Sequence, residues 1–467
     1  MRVIVWGINY APELTGIAPF NTGLCDHLLS RGHQVEMVTT FPYYPYWQKI
    51  PGDRGVLYRT DDFDGMLVHR CWHYVPRAVT TIRRIWHELS FGLTSLVRTL
   101  FLARADVYLI VSPPLLLGPM AAFVCWLKQR PFIFHVQDLQ PDAAVGLGMV
   151  KPGRFTRLLY RVEAFSYRRA AAVSGISGAM LDAYERKGVP AAKRLLFPNW
   201  IRWYGRNTGV REDADRRAAR GREFRRKYGI PEDTFLATYS GNLGKKQGLE
   251  TLIAAAAMLR ADPGGPTAEG GAPRTQDGFR ELQIARDRTV GVAGIPGFRN
   301  SGIPTGRSAR RAVLILIVGD GAMRRELEHR IAELGAPNVR MMSLLLEVDY
   351  HGMLAASDVG LILQAPGTGQ FFLPSKLLSV LSLRVPVLCT ADDDSELARA
   401  VREGGFGENL PAGNAEALAH ALAELAGDPE KLARLAQQTN WVDRFSGERV
   451  LTEFERELVR VASARSV

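Results

Sequence analysis

Short apolar runs that alternate with amphipathic helical segments constrain this chain more than any other feature of its sequence. Residues 3–8 form such a run, a loop with Gly16 follows, and residues 20–29 place apolar side chains at helical spacing before a second run at 35–39. A strand, a glycine-containing loop, a helix and a strand make a βαβ unit, whose ligand site lies beyond the C-terminal ends of the strands. The same alternation starts again at residue 235. The sequence therefore predicts an α/β chain with two Rossmann-like, doubly wound sheets.

The length of 467 residues also favours two domains, because a single core rarely grows that large. The first is predicted over 1–203 and the second over 204–440, with their connection in the strongly basic stretch 201–228. A helical tail is predicted over 441–467, and packing against the first domain is one option for it. Residues 261–311 are rich in Gly, Pro and Arg and contain few apolar side chains. Such a segment buries too little surface to offset its ordering entropy, so we expect a mostly disordered insertion.

The composition narrows the possible partners and compartment. A net charge of +11 indicates an anionic partner, which could be a phosphate-bearing substrate, a lipid surface or a nucleic acid. Nucleic acid is the least favoured, because no base-stacking or groove-reading motif accompanies the arginines. The four cysteines lack C-x-x-C spacing, so neither a zinc site nor a disulfide framework is indicated. With no secretion signal at the start and no apolar stretch of membrane-spanning length, we expect a cytoplasmic protein.

Two aromatic-rich segments leave alternatives open. Residues 41–50 interleave aromatic side chains with prolines, which suits either a sugar- or membrane-contacting surface or a loop packed on its own domain. Residues 82–100 have an apolar helical face opposite Arg83, Arg84 and Arg98. This pattern fits a helix lying on an anionic membrane, and it also fits a core helix with a solvated basic face, which is somewhat more common.

Two stretches carry the candidate site residues. Residues 235–252 read as a strand, a turn with Gly241 and a helix, with Lys245 and Lys246 inside the turn. Bare backbone N–H groups and a helix N-terminus suit a phosphate, although an ordinary strand-to-helix turn has the same pattern. His135 and Asp138 follow a predicted strand, where folds of this type place their chemistry. A structural role is the alternative for His135.

Seven motifs together resemble the retaining glycosyltransferases of family 4, especially the WcaI type of colanic-acid and exopolysaccharide biosynthesis. They are N-Y-A-P-E-L-T-G, F-P-Y-Y-P-Y-W, H-V-Q-D-L-Q-P-D-A-A-V-G-L-G, F-P-N-W, S-G-N-L-G-K-K-Q-G-L, V-G-D-G and L-P-S-K-L. The resemblance covers nearly the whole chain except the insertion. It implies a GT-B fold, in which two Rossmann-like doubly wound domains face a central cleft.

The resemblance also implies roles for individual residues. His135 and Asp138 are the candidate catalytic residues. The predicted donor-binding residues are Gly16, Gly241, Asn242, Lys245, Lys246, Gly321, Ser375 and Lys376. A Pro-Ser-Lys helix start agrees physically, because it places a hydroxyl near the N-cap and a cation near the helix N-terminus.

This sequence also departs from the family pattern. The two positions of the family's Glu-x7-Glu motif are Phe371 and Ser379, and its donor-loop Arg and Lys fall on Asn242 and Gln247. The histidine expected two residues after His135 is replaced by glutamine. These losses motivate an alternative, a catalytically silent scaffold that binds a nucleotide sugar or an assembly partner.

The function implied by the resemblance is transfer of a sugar from a nucleotide-diphosphate donor to a saccharide acceptor, expected to be lipid-linked, with retention of configuration. We expect no cofactor and no metal, because the sequence has no Asp-x-Asp cluster in a metal-like loop. The expected partners are the nucleotide-sugar donor, the acceptor and an anionic membrane surface, but not nucleic acid. The expected location is the inner face of the cytoplasmic membrane, with peripheral attachment.

Overall fold

Two sheets, one in each half of the chain, organise the computed structural model. It describes residues 1–13, 16–63, 65–78, 80–146, 153–201, 213–261, 311–368 and 374–464. The predicted insertion falls outside the described residues except for its two end positions. The predicted boundary at 203–204 falls outside them as well. Two sheets, one parallel and one parallel except at an edge hairpin, with helices on both faces, confirm the predicted α/β class and the GT-B architecture.

The first sheet has the strand order β3-β4-β2-β1-β5-β6-β7-β8 in the described part of the chain. Every neighbouring pair is parallel except β3 with β4, which form an antiparallel hairpin at one edge. The order reverses between β1 and β5, and such a switch point is where doubly wound sheets bind ligands. The strands are β1 (Arg2–Trp6), β2 (Gln34–Thr40), β3 (Tyr58–Phe63), β4 (Met66–Cys71), β5 (Val107–Ser112), β6 (Phe132–Val136), β7 (Ala172–Gly175) and β8 (Arg194–Leu196).

The second sheet is parallel throughout, with the order β11-β10-β9-β12-β13-β14. Its switch point lies between β9 and β12. Strands covered on both faces are expected to be apolar along their whole length, and the sequence VLILIV of β10 shows this. The strands are β9 (Phe235–Ser240), β10 (Val313–Val318), β11 (Val339–Met342), β12 (Val359–Leu363), β13 (Val387–Thr390) and β14 (Gly407–Leu410).

Helices cover both faces of each sheet. Around the first sheet they are α1 (Ala18–Ser30), α2 (Thr81–Phe101), α3 (Leu117–Lys128), α4 (Gln140–Gly146), α5 (Arg154–Arg169) and α6 (Gly178–Arg186). The later helices are α7 (Ala214–Lys227), α8 (Leu249–Ala261), α9 (Arg324–Glu333), α10 (Glu347–Ala356), α11 (Ser375–Ser382), α12 (Glu396–Gly404), α13 (Ala415–Gly427), α14 (Pro429–Gln437) and α15 (Gly447–Ser463). Short 3-10 turns occur at Pro51–Asp53, Ala191–Lys193, Lys245–Gln247 and Gln438–Phe445. None of the helices within the described ranges is both long and apolar enough to cross a bilayer.

The last helix, α15, packs on the first half of the chain. Its side chains Phe454 and Leu458 belong to the same buried cluster as Val3 and Val5 of β1. The Phe454 ring stacks on Phe197 with a centroid distance of 3.6 Å. A helix that follows the second sheet in sequence therefore closes one face of the first.

The basic stretch between the two halves contains a helix. The stretch includes α7, which packs against α10 of the second half. Arg225 of α7 is buried and donates to the Ala356 carbonyl at 2.8 Å and to the Asp358 carboxylate at 3.0 Å. Part of the arginine excess there is consequently structural, because a buried guanidinium needs such acceptors.

Candidate functional site

Two glycines bring the loops after β9 and β10 into backbone contact. A Cβ added at Gly319 would lie 1.9 Å from the Gly241 carbonyl oxygen, and one at Gly321 would lie 2.5 Å from the Leu243 oxygen. Hydrogen bonds hold the loops at this distance, including Gly241 N–H to the Val318 oxygen at 2.9 Å. No side chain fits there, so the crevice at the end of this sheet is lined by backbone.

Lys376 reaches this crevice from the first turn of α11. Its Nζ lies 4.0 Å from the centroid of the Tyr239 ring and 3.7 Å from where a Cβ on Gly241 would be. Burial, together with a smaller effect of the nearby Lys246 charge, lowers the pKa of Lys376 to about 7, although Cys389 acts in the opposite direction. Within the described ranges no carboxylate forms an ion pair with Lys376. A desolvated lysine without an anion is arranged to receive one.

Gln364 is a second polar group at this crevice, at the C-terminal end of β12. It is 4% exposed, and neither its amide oxygen nor its amide nitrogen has a hydrogen-bond partner among the described residues. A buried amide without partners is costly, so it marks a position where a ligand could supply them. Sequence reasoning missed this residue. Its one signal was a polar side chain directly after the apolar run 359–363.

The other predicted donor-binding residues surround the same loop. Lys245 and Lys246 form a 3-10 turn with exposed side chains, and the Lys246 carbonyl accepts from Ala365 N–H at 2.9 Å. Asn242 is exposed, and a Cβ at Gly321 would lie 2.7 Å from its Oδ1. Ser375 is exposed at the first position of α11, directly after the N-cap residue Pro374. The loops after β9 and β12 therefore meet at the switch point of the second sheet.

Asp138 faces this group from the first half of the chain. Its side chain reaches solvent, but burial among the surrounding protein raises the pKa of Asp138, while the charges of Lys246 and Arg84 lower it. A carboxylate that is both accessible and partly desolvated lies on the wall of a cleft. The structure thus brings Asp138 near the loop of Lys246, which is predicted to bind the donor.

His135 lies in a different environment from Asp138. It is 2% exposed, and its ring packs on Phe197 at a centroid distance of 4.9 Å. Its Nε2 lies 2.8 Å from the Gln137 amide nitrogen and its Nδ1 lies 2.9 Å from Ser174 Oγ. An amide N–H needs an acceptor nitrogen, so the ring is neutral with the proton on Nδ1. Burial agrees, since it lowers the pKa of His135 to about 3. This placement supports a positioning role rather than contact with a substrate.

Glu13 ties the loop after β1 to the aromatic segment 41–50. The carboxylate accepts from the backbone N–H groups of Tyr43 and Tyr44, both at 2.9 Å, and from Asn9 Nδ2 at 2.8 Å. Burial raises the pKa of Glu13, while these backbone and side-chain hydrogen bonds lower it. Sequence reasoning gave Glu13 no role, although it belongs to the quoted N-Y-A-P-E-L-T-G motif.

The aromatic segment packs mainly on its own domain. Phe41 and Tyr43 are buried, whereas Tyr46 is 78% exposed. The two buried rings agree with the second alternative, a loop packed on its own domain, because the segment folds back over the loop after β1. Gly16, in the left-handed region with φ of 67°, lies against Tyr44, and a Cβ on it would be 3.5 Å from that ring. Gly16 therefore lies on the first sheet's side of the cleft.

Helix α2 presents both an apolar side and basic side chains to solvent. Ile82 is 70% exposed, Trp86 59% and Phe101 84%. Helix α3 packs beside α2 and α5 packs beside α3, and both add large exposed apolar side chains, among them Trp126 and Leu158. Arg84 on α2 pairs with Glu88 at 3.1 Å and also acts on Asp138. The helix thus borders the cleft at one end and forms an outer face along its length.

Three of the residues that depart from the family pattern are Phe371, Ser379 and Gln247. Phe371 lies outside the described residues, and Ser379 is a half-buried residue of α11. Gln247 has a buried side-chain oxygen without a hydrogen-bond partner in the described part. No group of three or more potential metal ligands occurs among the residues that are described. The expectation that no metal is needed stays a prediction.

Comparison with known proteins identifies relatives of both halves. Residues 15–200 match the family described as glycosyl transferase 4-like domain. The Escherichia coli (strain K12) colanic acid biosynthesis glycosyl transferase WcaI is 29% identical over 404 residues, which cover 85% of each chain. Among solved structures, a sucrose-phosphate synthase from Thermosynechococcus elongatus aligns with a TM-score of 0.66 at 16% identity, over 99% of both chains. Anabaena Alr3699/HepE in complex with UDP-glucose aligns with a TM-score of 0.61 at 14% identity, over 98% of this chain and 100% of that one.

Proposed function

We propose that this chain, which belongs to the WcaI-type glycosyltransferases of family 4, moves a sugar from a nucleotide-diphosphate donor to a lipid-linked saccharide with retention of configuration. Nucleotide-sugar-dependent glycosyl transfer is supported by the relatives of both halves. The retaining outcome, the lipid-linked acceptor and the membrane location are the proposed refinements.

The observation that carries the proposal is Lys376 at the backbone-lined crevice. Its pKa of about 7 reflects a charge that burial disfavours and that Lys246 repels, so a dianionic diphosphate would relieve both effects. The N-terminus of α11 and the loop of Gly241 converge at the same point, and such backbone ends favour phosphate. A uridine diphosphate sugar is a reasonable first donor, since Alr3699/HepE shares the fold and was solved with UDP-glucose.

The chemistry follows from where charge develops. When the bond between the sugar and the diphosphate breaks, negative charge grows on the leaving phosphate oxygen. Donors that are already in place, here the loop amides and Lys376, stabilise that charge without reorganising. Front-face attack by the acceptor needs no protein nucleophile. Asp138, across the cleft from Lys246, is suitably placed to orient the acceptor hydroxyl and to receive its proton.

The outer face formed by α2, α3 and α5, which we assign to the acceptor side, supports a membrane location. The exposed apolar side chains of α2, α3 and α5 are interspersed with arginines, among them Arg83, Arg157 and Arg161. Contiguous exposed apolar surface of this kind marks an interaction site, and arginines beside it favour anionic lipid. We place the protein at the inner face of the cytoplasmic membrane, held there peripherally by this face.

The test is donor binding and transfer by Lys376 variants. Lys376→Met keeps the aliphatic stem but removes the charge, and a charge-assisted contact to phosphate contributes about 1.5–3 kcal/mol. We expect Lys376→Met to weaken UDP-glucose binding by about ten-fold to a hundred-fold, if the contact serves ground state and transition state alike. A change in kcat with unaltered affinity would instead indicate a contact made only to the developing charge. Lys376→Arg, which keeps a charge, is the matched control.

Transfer to membrane extract separates the proposal from a silent scaffold. A scaffold would bind a nucleotide sugar in a thermal-shift screen but would turn over none of the donors tested. Wild-type affinity and wild-type kcat in Lys376→Met would contradict the placement of the donor diphosphate.

A further inference from the structure

A groove of about 570 Å³ runs along the outer side of α2. Its walls include Trp72, Tyr74, Trp86, Leu89 and Leu93. This volume is within the range of sites that hold small molecules. Trp86 is 59% and Leu93 52% exposed, so the groove opens to the surface.

Two hydroxyl groups in its wall, those of Ser90 and Thr94, already form hydrogen bonds within the protein. Ser90 Oγ accepts from Tyr74 N–H at 2.8 Å and donates to the His87 carbonyl at 2.9 Å. Thr94 Oγ1 donates to the Trp72 carbonyl at 2.6 Å. The groove therefore offers hydrocarbon and ring faces but few free hydrogen-bonding groups. A saccharide placed there would lose hydrogen bonds to water that the walls do not replace.

The charges near the groove are positive and lead to the cleft. Arg83 lines the groove itself. Arg84, the next residue around the helix, acts on the Asp138 carboxylate. Glu88 holds the arrangement, since it pairs with Arg84 at 3.1 Å and accepts from Gln140 Nε2 at 3.2 Å. An apolar tail in the groove with an anionic head on Arg83 would thus direct whatever the head carries toward Asp138.

We infer that this groove binds the hydrocarbon chain of a lipid phosphate or diphosphate that carries the acceptor sugar, with Arg83 beside the phosphate. The inference rests on the proposed function for the identity of the acceptor. It adds a binding site to that function, because the protein, and not only the bilayer, then holds the hydrocarbon chain of the lipid. The positive charge of Arg83 and the small number of free polar groups in the wall identify the occupant.

The experiment measures binding of geranylgeranyl diphosphate without vesicles, below its aggregation concentration, through quenching of tryptophan fluorescence. Trp72 and Trp86 line the groove and report on its occupation. We expect saturable binding that Leu93→Arg weakens at least ten-fold. Val97→Arg is the matched control, because Val97 is 45% exposed on the same helix but does not line the groove. It should bind within two-fold of wild type.

Further variants and probes test the head and the chain separately. Arg83→Ala should weaken binding of geranylgeranyl diphosphate but not of geranylgeraniol. Trp86→Ala, at another exposed wall position, gives a second groove variant if Leu93→Arg does not fold. Equal binding of dihexanoyl phosphatidylglycerol would show a general lipid site, and equal effects of Leu93→Arg and Val97→Arg would show a surface effect. Either result would overturn the inference, as would the absence of any saturable binding.

Binding of UDP-glucose by the same variants separates this inference from the proposed function. Leu93→Arg should keep donor affinity while the KM for a lipid-linked acceptor rises. If wild-type protein binds nucleotide sugar but not the lipid probe, the groove inference fails alone. If it binds the lipid probe but none of the nucleotide sugars tested, the proposed function fails and the groove is a lipid site of other purpose.

Discussion

The two walls of the cleft are built by opposite means. On the wall that we assign to the donor, the loops after β9 and β10 are in backbone contact, and the half-buried Lys376 adds its charge to those of Lys245 and Lys246. On the acceptor side, α2 places large apolar side chains and arginines in solvent. A Cβ on Gly319 would lie 1.9 Å from a backbone oxygen, so no other residue fits there. An exposed face, by contrast, accepts many different side chains.

The difference fits the two substrates that we propose for the two walls. A diphosphate has a fixed size and charge, so a rigid backbone surface and one desolvated cation suit it. A lipid-linked saccharide is large and amphipathic, so its binding depends more on the area of the contact surface than on the exact position of each group. We therefore expect substitutions on the donor wall to change stability through steric clashes and donor affinity through proton binding. Substitutions on the acceptor side should instead change how strongly the protein binds lipid.

The largest effect is expected where the two donor loops touch. In Gly319→Ala, the new Cβ meets the Gly241 carbonyl, which is backbone and cannot rotate away. We expect a loss of about 3 kcal/mol or more, which lowers the melting temperature of the second half by roughly 6–12 °C. Differential scanning calorimetry measures it. Gly229→Ala is the control, since it has a φ of 62° but open space around it and should cost only about 1 kcal/mol. Equal shifts in the two variants would show that the loops are not in close contact.

The pH dependence of donor binding comes next. A diphosphate bound beside Lys376 raises the pKa of the lysine above its free value of about 7, so binding takes up a proton above that pH. Affinity should be level below pH 7 and fall above it, by up to about ten-fold per pH unit, until the pKa of the complex is reached. Titration calorimetry between pH 6 and 9 measures this. Lys376→Arg stays charged and should give a flat profile, and a flat profile in the wild type would contradict the assignment.

Asp138 and His135 should separate turnover from stability. Asp138→Asn keeps the shape but removes the charge and the proton acceptor, so kcat should fall more than about ten-fold while donor affinity changes little. His135→Ala empties a buried position against Phe197 and should mainly lower the melting temperature, by removing packing. Steady-state kinetics with thermal denaturation resolves the two. If neither substitution changes activity, both residues lie outside the mechanism.

The smallest effect is expected on the acceptor side. Arg161→Ala on α5 removes one exposed charge from the apolar face, and each such residue contributes about 1 kcal/mol near anionic lipid. Sedimentation with phosphatidylglycerol vesicles should therefore weaken about five-fold. Arg226→Ala, an exposed arginine of α7 in the other half, should have no effect. Vesicle binding that is absent, or insensitive to salt, would contradict a membrane role for this face.

Much of the fold could be predicted from local pattern alone. Apolar runs such as VLILIV and the glycine turns between runs and helices placed most strands, because fully buried parallel strands must be apolar throughout. The basic stretch 201–228 was harder. Its helix α7 is stabilised by contacts such as Arg225 with Asp358, more than 130 residues apart in sequence, which no local pattern shows.

Some residues of the candidate site could likewise be predicted from local pattern, and others could not. Lys376 and Gly241 stood out because their motifs place a cation at a helix start and a glycine in a turn. Whether His135 was exposed could not be read from its position, since its burial depends on Phe197 and Phe454 from distant segments. Gln364 carried almost no sequence signal, because its amide is unusual only in lacking hydrogen-bond partners among the described residues, and this depends on the tertiary structure.

The return of α15 to the first sheet has a consequence for biosynthesis. A ribosome releases the first half of this chain long before it makes α15, so the face formed by Val3, Val5 and Phe197 is left without Phe454 and Leu458 throughout synthesis of the second half. Nascent chains that stall before residue 447 would expose this face and would be substrates for holding chaperones. The first half can therefore complete this face of its core only after translation has passed through the second half.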